Sequence, residues 1–382
     1  MPRRICIVYD CLFPHTVGGG ERWYRSLAAR LAAEGHEVTY LTLRQWDRGT
    51  DPDFDGVRVV TAGPRMALYA GPRRRILPPL VFGAGVLWHL LRHGRRYDAV
   101  HTASFPYFSL LAAGLARRRG RYRLVVDWLE LWSREYWHGY LGRAGGEVGY
   151  RIQRLCTRIP QQAFCLSRRH AERLVQEGGP RAVTVLEGLY AGPPAPAAPQ
   201  PAEPVVLFAG RHIPEKRVPA LVRAFAAIAA EAPELRCEIL GDGPDRPEVL
   251  ALIAASGLEG RISAPGFVPT ERVEAAMASA LCLVLPSSRE GYGLVVVEAA
   301  ARGTPSVVVD GPDNAAVELI APGENGVVAP TASPKDLGAA ILAVRAGGPD
   351  LRERTAAWYA ANAQRLSLES SLGTVAAAYA RP

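Results

Sequence analysis

The sequence predicts an α/β chain of two doubly wound, Rossmann-like domains facing a cleft. Three observations predict it. Short apolar runs alternate with helix-length stretches along most of the 382 residues, and such alternation calls for parallel strands joined by crossover helices. The alternation is interrupted once, by "AGPPAPAAPQPAEP" (Ala191–Pro204), which is rich in Pro and Ala and nearly free of charge, so it reads as a stiff linker. The length also exceeds the size at which one core keeps growing. The expected organisation is therefore a first domain over 1–190, a linker over 191–204 and a second domain over 205–350. Helical residues 351–382 have no strand after them, and we expect them to pack back on the first domain.

The strand-like runs of the first half are "ICIVYD", "HEVTYLTL", "VRVVTAG", "DAVHTAS", "YRLVVDW", "AFCLS" and "VTVLEG". Between the first two lies "ERWYRSLAARLAAEG" (Glu21–Gly35), apolar at positions 23, 24, 27, 28, 31 and 32 and closed by Gly35, which is helical periodicity with a stop signal. After the linker come "VVLFAG", "LRCEILGDG", "RISAPGFV", "LCLVLPS", "PSVVVDG" and "GVVAP". Ligands of open parallel sheets bind at the carboxyl ends of the strands, so the cleft is the expected site.

With 48% hydrophobic and 21% charged residues, the composition excludes a disordered chain and a membrane-spanning one. The opening "MPRRICIVYD" has an apolar run only a strand long and reads as no signal peptide, so a cytoplasmic protein is expected. Six cysteines with no C-x-x-C spacing read as buried, reduced thiols rather than disulfide or zinc positions. The net charge of +8 is uneven. Residues 1–190 hold 29 Arg against 16 Asp and Glu, a balance of +13; the remainder has 16 Arg and Lys against 21 acidic residues, a balance of −5. A basic first half suits an anionic acceptor or membrane surface, and a compositional bias toward Ala, Arg and Pro explains the same count. Nucleic acid is not an expected partner.

Several short motifs carry chemistry. "HTVGGGERW" (His15–Trp23) places Gly18, Gly19 and Gly20 between the first strand and its helix. Glycines there let the backbone approach an anion at the helix amino terminus, and they equally suit a tight turn. "FAGRHIPEKR" (Phe208–Arg217) puts Arg211 just past the first strand of the second domain and Lys216 five residues on, two cations placed for a diphosphate. "SSREGYGLVVVEAAARG" (Ser287–Gly303) sets Glu290 before the turn Gly291-Tyr292-Gly293-Leu294, and Glu298 in an otherwise apolar helix. With the diphosphate at the start of that helix, Glu290 would accept from hydroxyls of a sugar beyond the phosphates, and Glu298 from a ribose.

In this arrangement the chain resembles the family-4 retaining glycosyltransferases, which have the GT-B fold. The E-x7-E signature matches Glu290 and Glu298, and "FPHTVGGGERWYRSLAARLAAEGHEVTYLT" is similar to the family's P-x-x-G-G-x-E opening. "FAGRHIPEKRVPALVRAFA" is similar to its G-R-x-x-x-E-K-G segment, with Arg217 where glycine is usual. "ILGDGPDRPEV", "APGFVP" and "ELIAPGENGVVAP" follow in the family's order.

The resemblance implies donor phosphate contacts from Gly19, Arg211, Lys216 and the amides of Gly293 and Leu294. It implies a nucleobase against Gly266, Phe267 and Val268, ribose on Glu298 and hexose on Glu290. His101, ending "DAVH", matches a histidine that faces the donor sugar. Where many relatives have a histidine in the following strand this chain has "VVDW", so Asp127 is the expected acceptor-side residue. The implied activity is hexosyl transfer from a nucleoside-diphosphate sugar to a polysaccharide, lipid-linked or natural-product acceptor, with no metal and no cofactor. No D-x-D pair ends a strand to hold a metal. A silent nucleotide-sugar-binding scaffold and a sugar-nucleotide epimerase remain alternatives. A phosphorylase would need a pyridoxal phosphate lysine, and the chain has only Lys216 and Lys335. Finally, "GPRRRILPPLVFGAGVLWHLLRHGRRYD" (Gly71–Asp98) flanks an apolar segment with basic clusters. It is too short to span a bilayer and reads as a membrane-interface segment, a lipid-acceptor site or an ordinary domain helix.

Overall fold

The computed structural model describes residues 2–16, 18–47, 49–50, 52–54, 56–70, 73–195 and 201–380, with the backbone alone of 69, 70, 73, 74 and 380. Residues 196–200 of the expected linker and the Arg73 and Arg74 side chains thus lie outside the description. The chain forms two compact units, residues 1–189 with 369–382, and residues 190–368.

In the first unit the strands of the main sheet are β1 (Arg4–Val8), β2 (Glu37–Leu43), β3 (Val57–Gly63), β4 (Ala99–Ala103), β5 (Arg123–Trp128), β6 (Gln162–Cys165) and β7 (Val183–Val185). They lie in the order β3-β2-β1-β4-β5-β6-β7, and every ladder is parallel. Helices α1 (Gly19–Ala33), α2 (Leu77–His93), α3 (Tyr107–Gly120), α4 (Arg134–Thr157) and α5 (Arg168–Gln176) make the crossovers. Helices on both faces of a parallel sheet bury its central strands, which is why β1 is apolar from Ile5 to Val8 and β4 is buried along its whole length.

The second unit repeats the winding. Its strands are β8 (Val205–Ala209), β9 (Arg236–Leu240), β10 (Ile262–Gly266), β11 (Cys282–Leu285), β12 (Ser306–Val309) and β13 (Gly326–Ala329). Their order is β10-β9-β8-β11-β12-β13, again wholly parallel. Helices α6 (Val218–Ile228), α7 (Arg246–Ser256), α8 (Thr270–Ser279), α9 (Leu294–Ala300) and α10 (Pro334–Leu366) complete it. All thirteen strand-like runs named above are strands. Strand order reverses between β8 and β11, so the loops after these two strands flank a crevice.

The C-terminal block does not return to the first unit as a whole. The long helix α10 breaks at Gly348 (φ 53°), where Pro349 starts its second half, and that half stays in the second unit. Arg352 holds it there by donating to the carbonyls of Ala278 and Ala280, each at 2.6 Å. Only α11 (Leu368–Ala380) joins the first unit, burying Leu372, Val375 and Tyr379. Ser371 Oγ accepts from the Gly188 amide at 3.1 Å, and Arg123 donates to the Ala378 carbonyl. The six cysteines are buried and unbridged. Burial pushes the Cys6 and Cys282 thiols up to about 12, so both are inert as nucleophiles at neutral pH.

Candidate active site

The loops after β8 and β11 are stapled together. Glu215 and Lys216 sit in a single 3₁₀ turn (Pro214–Lys216), and Arg289 and Glu290 form a two-residue parallel pairing with Asp313 and Asn314. The Ser288 amide donates to the Glu215 carbonyl at 2.8 Å. Arg289 then meets Glu215 at 3.4 Å, and Lys216 Nζ meets Glu290 Oε1 at 2.6 Å. Successive residues of one loop therefore pair with successive residues of the other. All four side chains are largely shielded from water, which raises the worth of such pairs above the surface value. Asn314 secures the second loop by donating to the carbonyls of Ser287 (3.2 Å) and Val309 (2.7 Å).

The same turn explains the unusual Arg217. It takes the left-handed conformation (φ 49°, ψ 38°) between the turn and α6, a conformation that costs a side-chain-bearing residue about 1–2 kcal/mol and that glycine adopts freely. Arg211 is exposed, and its guanidinium makes no hydrogen bond or ion pair among the described residues. Its neighbour His212 is fully buried, packs edge-on against Phe208, and has no partner at either ring nitrogen among the described residues. Burial lowers the His212 pKa, with Asp242 opposing and Arg246 adding to the shift. The ring is thus neutral at pH 7, so the cations of this loop are Arg211, Lys216 and Arg217.

Gly293 begins α9 with φ 100°, and a Cβ there would fall 2.6 Å from the Ala316 Cβ, so only glycine fits. Tyr292 is buried, and Gly291 and Leu294 are half-buried. Glu298 occupies a half-exposed position of α9 between the buried Val297 and Ala299. At the end of β10, Gly266 (φ 93°) turns the chain so that Phe267 is 85% exposed while Val268 packs inward.

In the first unit the glycine triplet opens α1. A Cβ at Gly18 would strike the Glu21 carboxylate and one at Gly20 the Tyr9 hydroxyl, whereas Gly19 faces open space. The Glu21 carboxylate therefore already lies against the amino terminus of α1, where the helix dipole favours negative charge.

His101 and Asp127 require a correction. Both were expected at a ligand surface, and both are interior: His101 is 0% and Asp127 1% exposed. Asp127 Oδ1 lies 2.8 Å from His101 Nε2, and Oδ2 accepts from Trp23 Nε1 at 2.7 Å. The Tyr379 hydroxyl lies 2.8 Å from His101 Nδ1. With both ring nitrogens and both carboxylate oxygens engaged inside the unit, these residues tie α1, β4, β5 and α11 together.

Sequence reasoning missed Glu215 and Arg289, although the dipeptides "EK" and "RE" are complementary in order and were a usable signal. Trp23 and Tyr379 carried no local signal of their role, since Tyr379 is 278 positions from His101.

Comparison with known proteins agrees with this layout. The model of the glycosyl transferase 4-like domain matches residues 18–187, and that of glycosyl transferases group 1 matches residues 194–360. Alpha-D-kanosaminyltransferase of Streptomyces kanamyceticus is 33% identical over 153 residues, 40% of this chain and 39% of that one. D-inositol 3-phosphate glycosyltransferase of Streptomyces scabiei is 33% identical over 184 residues, 46% and 41% of the two chains. The aligned part thus spans about two fifths of these curated relatives. Among solved structures, sucrose-phosphate synthase from Thermosynechococcus elongatus superposes with a TM-score of 0.76 at 20% identity, covering 99% of this chain and 98% of that one. Anabaena HepE in complex with UDP superposes with a TM-score of 0.74 at 18% identity, covering 99% of each. Matched by both domain models in their proper order, the chain belongs to the group 1 glycosyltransferases and has the GT-B fold.

Proposed function

We propose that the protein is a retaining glycosyltransferase that moves a hexosyl unit from a nucleoside-diphosphate sugar to an acceptor hydroxyl without a metal ion. The observation that carries this reading is the pair of loops at the β8/β11 crevice, where Arg211 is exposed and Lys216 is held beside Glu290 at 2.6 Å. Two cations neutralise a diphosphate leaving group as its charge develops, Lys216 from a held position and Arg211 from an exposed one. The Lys216 ammonium has three donors and Glu290 takes one, so two remain for phosphate oxygens. Glu298 holds the ribose, and the exposed Phe267 lies at the nucleobase end. The curated relatives are transferases by name, and a fold neighbour binds UDP and UDP-glucose, which supports a nucleotide-sugar donor and puts UDP-sugars first for trial.

In the reaction the acceptor oxygen forms a bond to the anomeric carbon as the bond from that carbon to the phosphate oxygen breaks. Both events occur on the same face, so configuration is retained. The acceptor proton passes to the departing phosphate, and nothing is oxidised or reduced. Glu290 stabilises the sugar as positive charge grows on it. Neither His101 nor Asp127 takes part in this scheme.

The test begins with a panel of UDP-, GDP-, ADP- and dTDP-sugars, scored by thermal stabilisation, because a ligand of the native state alone raises the melting temperature. The stabilising donor is then incubated with water, and the anomer first released is identified by NMR. Release of the donor's own anomer, undiminished in chelator, is expected. Release of the opposite anomer overturns retention. Loss of activity in chelator that magnesium or manganese restores overturns the metal-free scheme, and binding without any turnover assigns the chain to a silent scaffold.

A further inference from the structure

We propose that the outward face of α2 (Leu77–His93) is a contact surface for an anionic lipid membrane, lying flat on the bilayer with its arginines on lipid phosphates. The proposal is independent of the transfer reaction above and rests on three observations.

The first is charge. From Gly56 to Tyr97 the chain contains eight arginines and no aspartate or glutamate. The second is the character of the exposed face. Ile76, Leu80, Ala84 and Trp88 follow at four-residue steps, with Leu77 and Leu91 beside them, so they share one side of the helix. Ile76 is 68% exposed, Leu77 60% and Trp88 64%. On the opposite side Phe82, Val86 and Leu90 are buried in the core that also takes in α3. A surface helix of a globular unit ordinarily turns polar residues outward, whereas this one is apolar on both sides. The third is the placement of cations. Arg75 is exposed just ahead of the helix, Arg95 and Arg96 just beyond it, and the Arg92 guanidinium lies 5.2 Å from the centre of the Trp88 ring.

An apolar stripe with a tryptophan, ended by arginines and lacking carboxylates, matches the boundary between acyl chains and anionic headgroups. At 17 residues the helix is about 25 Å long, enough to rest across several headgroups. Among the described residues no helix is long and apolar enough to cross a membrane, so the contact is peripheral. A second copy of the chain is a poorer occupant, because a two-fold pairing of this face would set arginines against arginines with no carboxylate to relieve them.

The test uses the intact protein with vesicles of phosphatidylcholine and phosphatidylglycerol (three to one), and with vesicles of phosphatidylcholine alone, sedimented at low salt. Binding is expected to the anionic vesicles only and to fall as salt rises. The triple change Arg92→Ser, Arg95→Ser, Arg96→Ser is expected to weaken it on the order of a hundredfold, about fivefold per arginine. The single change Trp88→Ser is expected to weaken it as well, and Trp88→Phe to remove most of the quenching of protein fluorescence by brominated lipid. None of these side chains packs in the core, so melting temperatures should stay at the parent's value. Failure to sediment with anionic vesicles at low salt overturns the proposal, as does equal binding by the arginine and Trp88 variants. A dimer seen by analytical ultracentrifugation and abolished by Trp88→Ser, without vesicle binding, would instead assign the face to a second copy.

Discussion

Two shielded polar clusters, one from each unit, are built on opposite principles. In the first, Asp127 meets His101 and Trp23, and His101 meets Tyr379, so every polar atom of the carboxylate and the imidazole is taken within the unit. In the second, Lys216 pairs with Glu290 and Arg289 with Glu215, yet among the described residues Lys216 keeps two donors and Arg211 keeps its whole guanidinium. A closed cluster serves as structure, because any ligand must break a buried hydrogen bond to enter it. An open cluster is suited to binding, because Lys216 is held in place while its charge is left partly unanswered. Residue type does not separate the two. What separates them is how many donors and acceptors the chain itself has already taken.

The comparison can be broken most severely at Asp127. Replacing it with alanine strands the Trp23 and His101 donors in the core and should cost about 3–5 kcal/mol, visible as a lower urea midpoint. An Asp127→Ala protein as stable as its parent but inactive would make the closed cluster a ligand site after all. Next in size is Lys216→Ala, expected to lower kcat about 10²–10³-fold, or about 2.7–4 kcal/mol of transition-state stabilisation, with a much smaller fall in melting temperature. Full activity in that variant removes Lys216 from the mechanism.

A finer comparison lies within the open cluster. Glu298→Gln should weaken free nucleoside diphosphate and intact donor alike, by about tenfold or more, because a hydrogen bond to a charged group is worth about 1.5–3 kcal/mol. Glu290→Gln should mainly lower kcat. Since it also releases Lys216 to the phosphates, diphosphate affinity should hold or rise, and calorimetry on both variants decides. Equal losses in the two place the donor elsewhere. The smallest effect is expected at Arg217. Its left-handed backbone strains any side chain, so Arg217→Gly should raise stability by up to about 1 kcal/mol, the gain being reduced by the extra freedom of glycine when unfolded. Destabilisation there would mean that the Arg217 side chain contributes more packing than strain.

These clusters also mark how far the sequence could be read. The strands were legible because parallel strands covered on both faces are unbroken apolar runs, as in "ICIV" and "CLVL". The cations of the second unit were legible because they follow their strand within a few residues, where local spacing and spatial position coincide. The surroundings of His101 were illegible for the opposite reason. It sits in the strand next to a switch of strand order, where ligands commonly bind, and what fills that place is Tyr379 from the far end of the chain. Likewise the division of residues 351–382 turns on Gly348 and Arg352, whose partners Ala278 and Ala280 lie about seventy positions away. Local patterns predict elements well, and long-range partners decide what those elements do.

The return of α11 also fixes an order of events in synthesis. A ribosome finishes β1 to β7 long before it reaches Leu368, and all of the second unit is made in between. Until α11 emerges, the pocket that receives Tyr379 is open and His101 Nδ1 lacks its hydroxyl partner. The first unit begun is therefore the last to be completed. Residues 1–189 produced alone should expose apolar surface that a peptide of residues 368–380 covers, and the two halves of this molecule cannot be separated by a single cut.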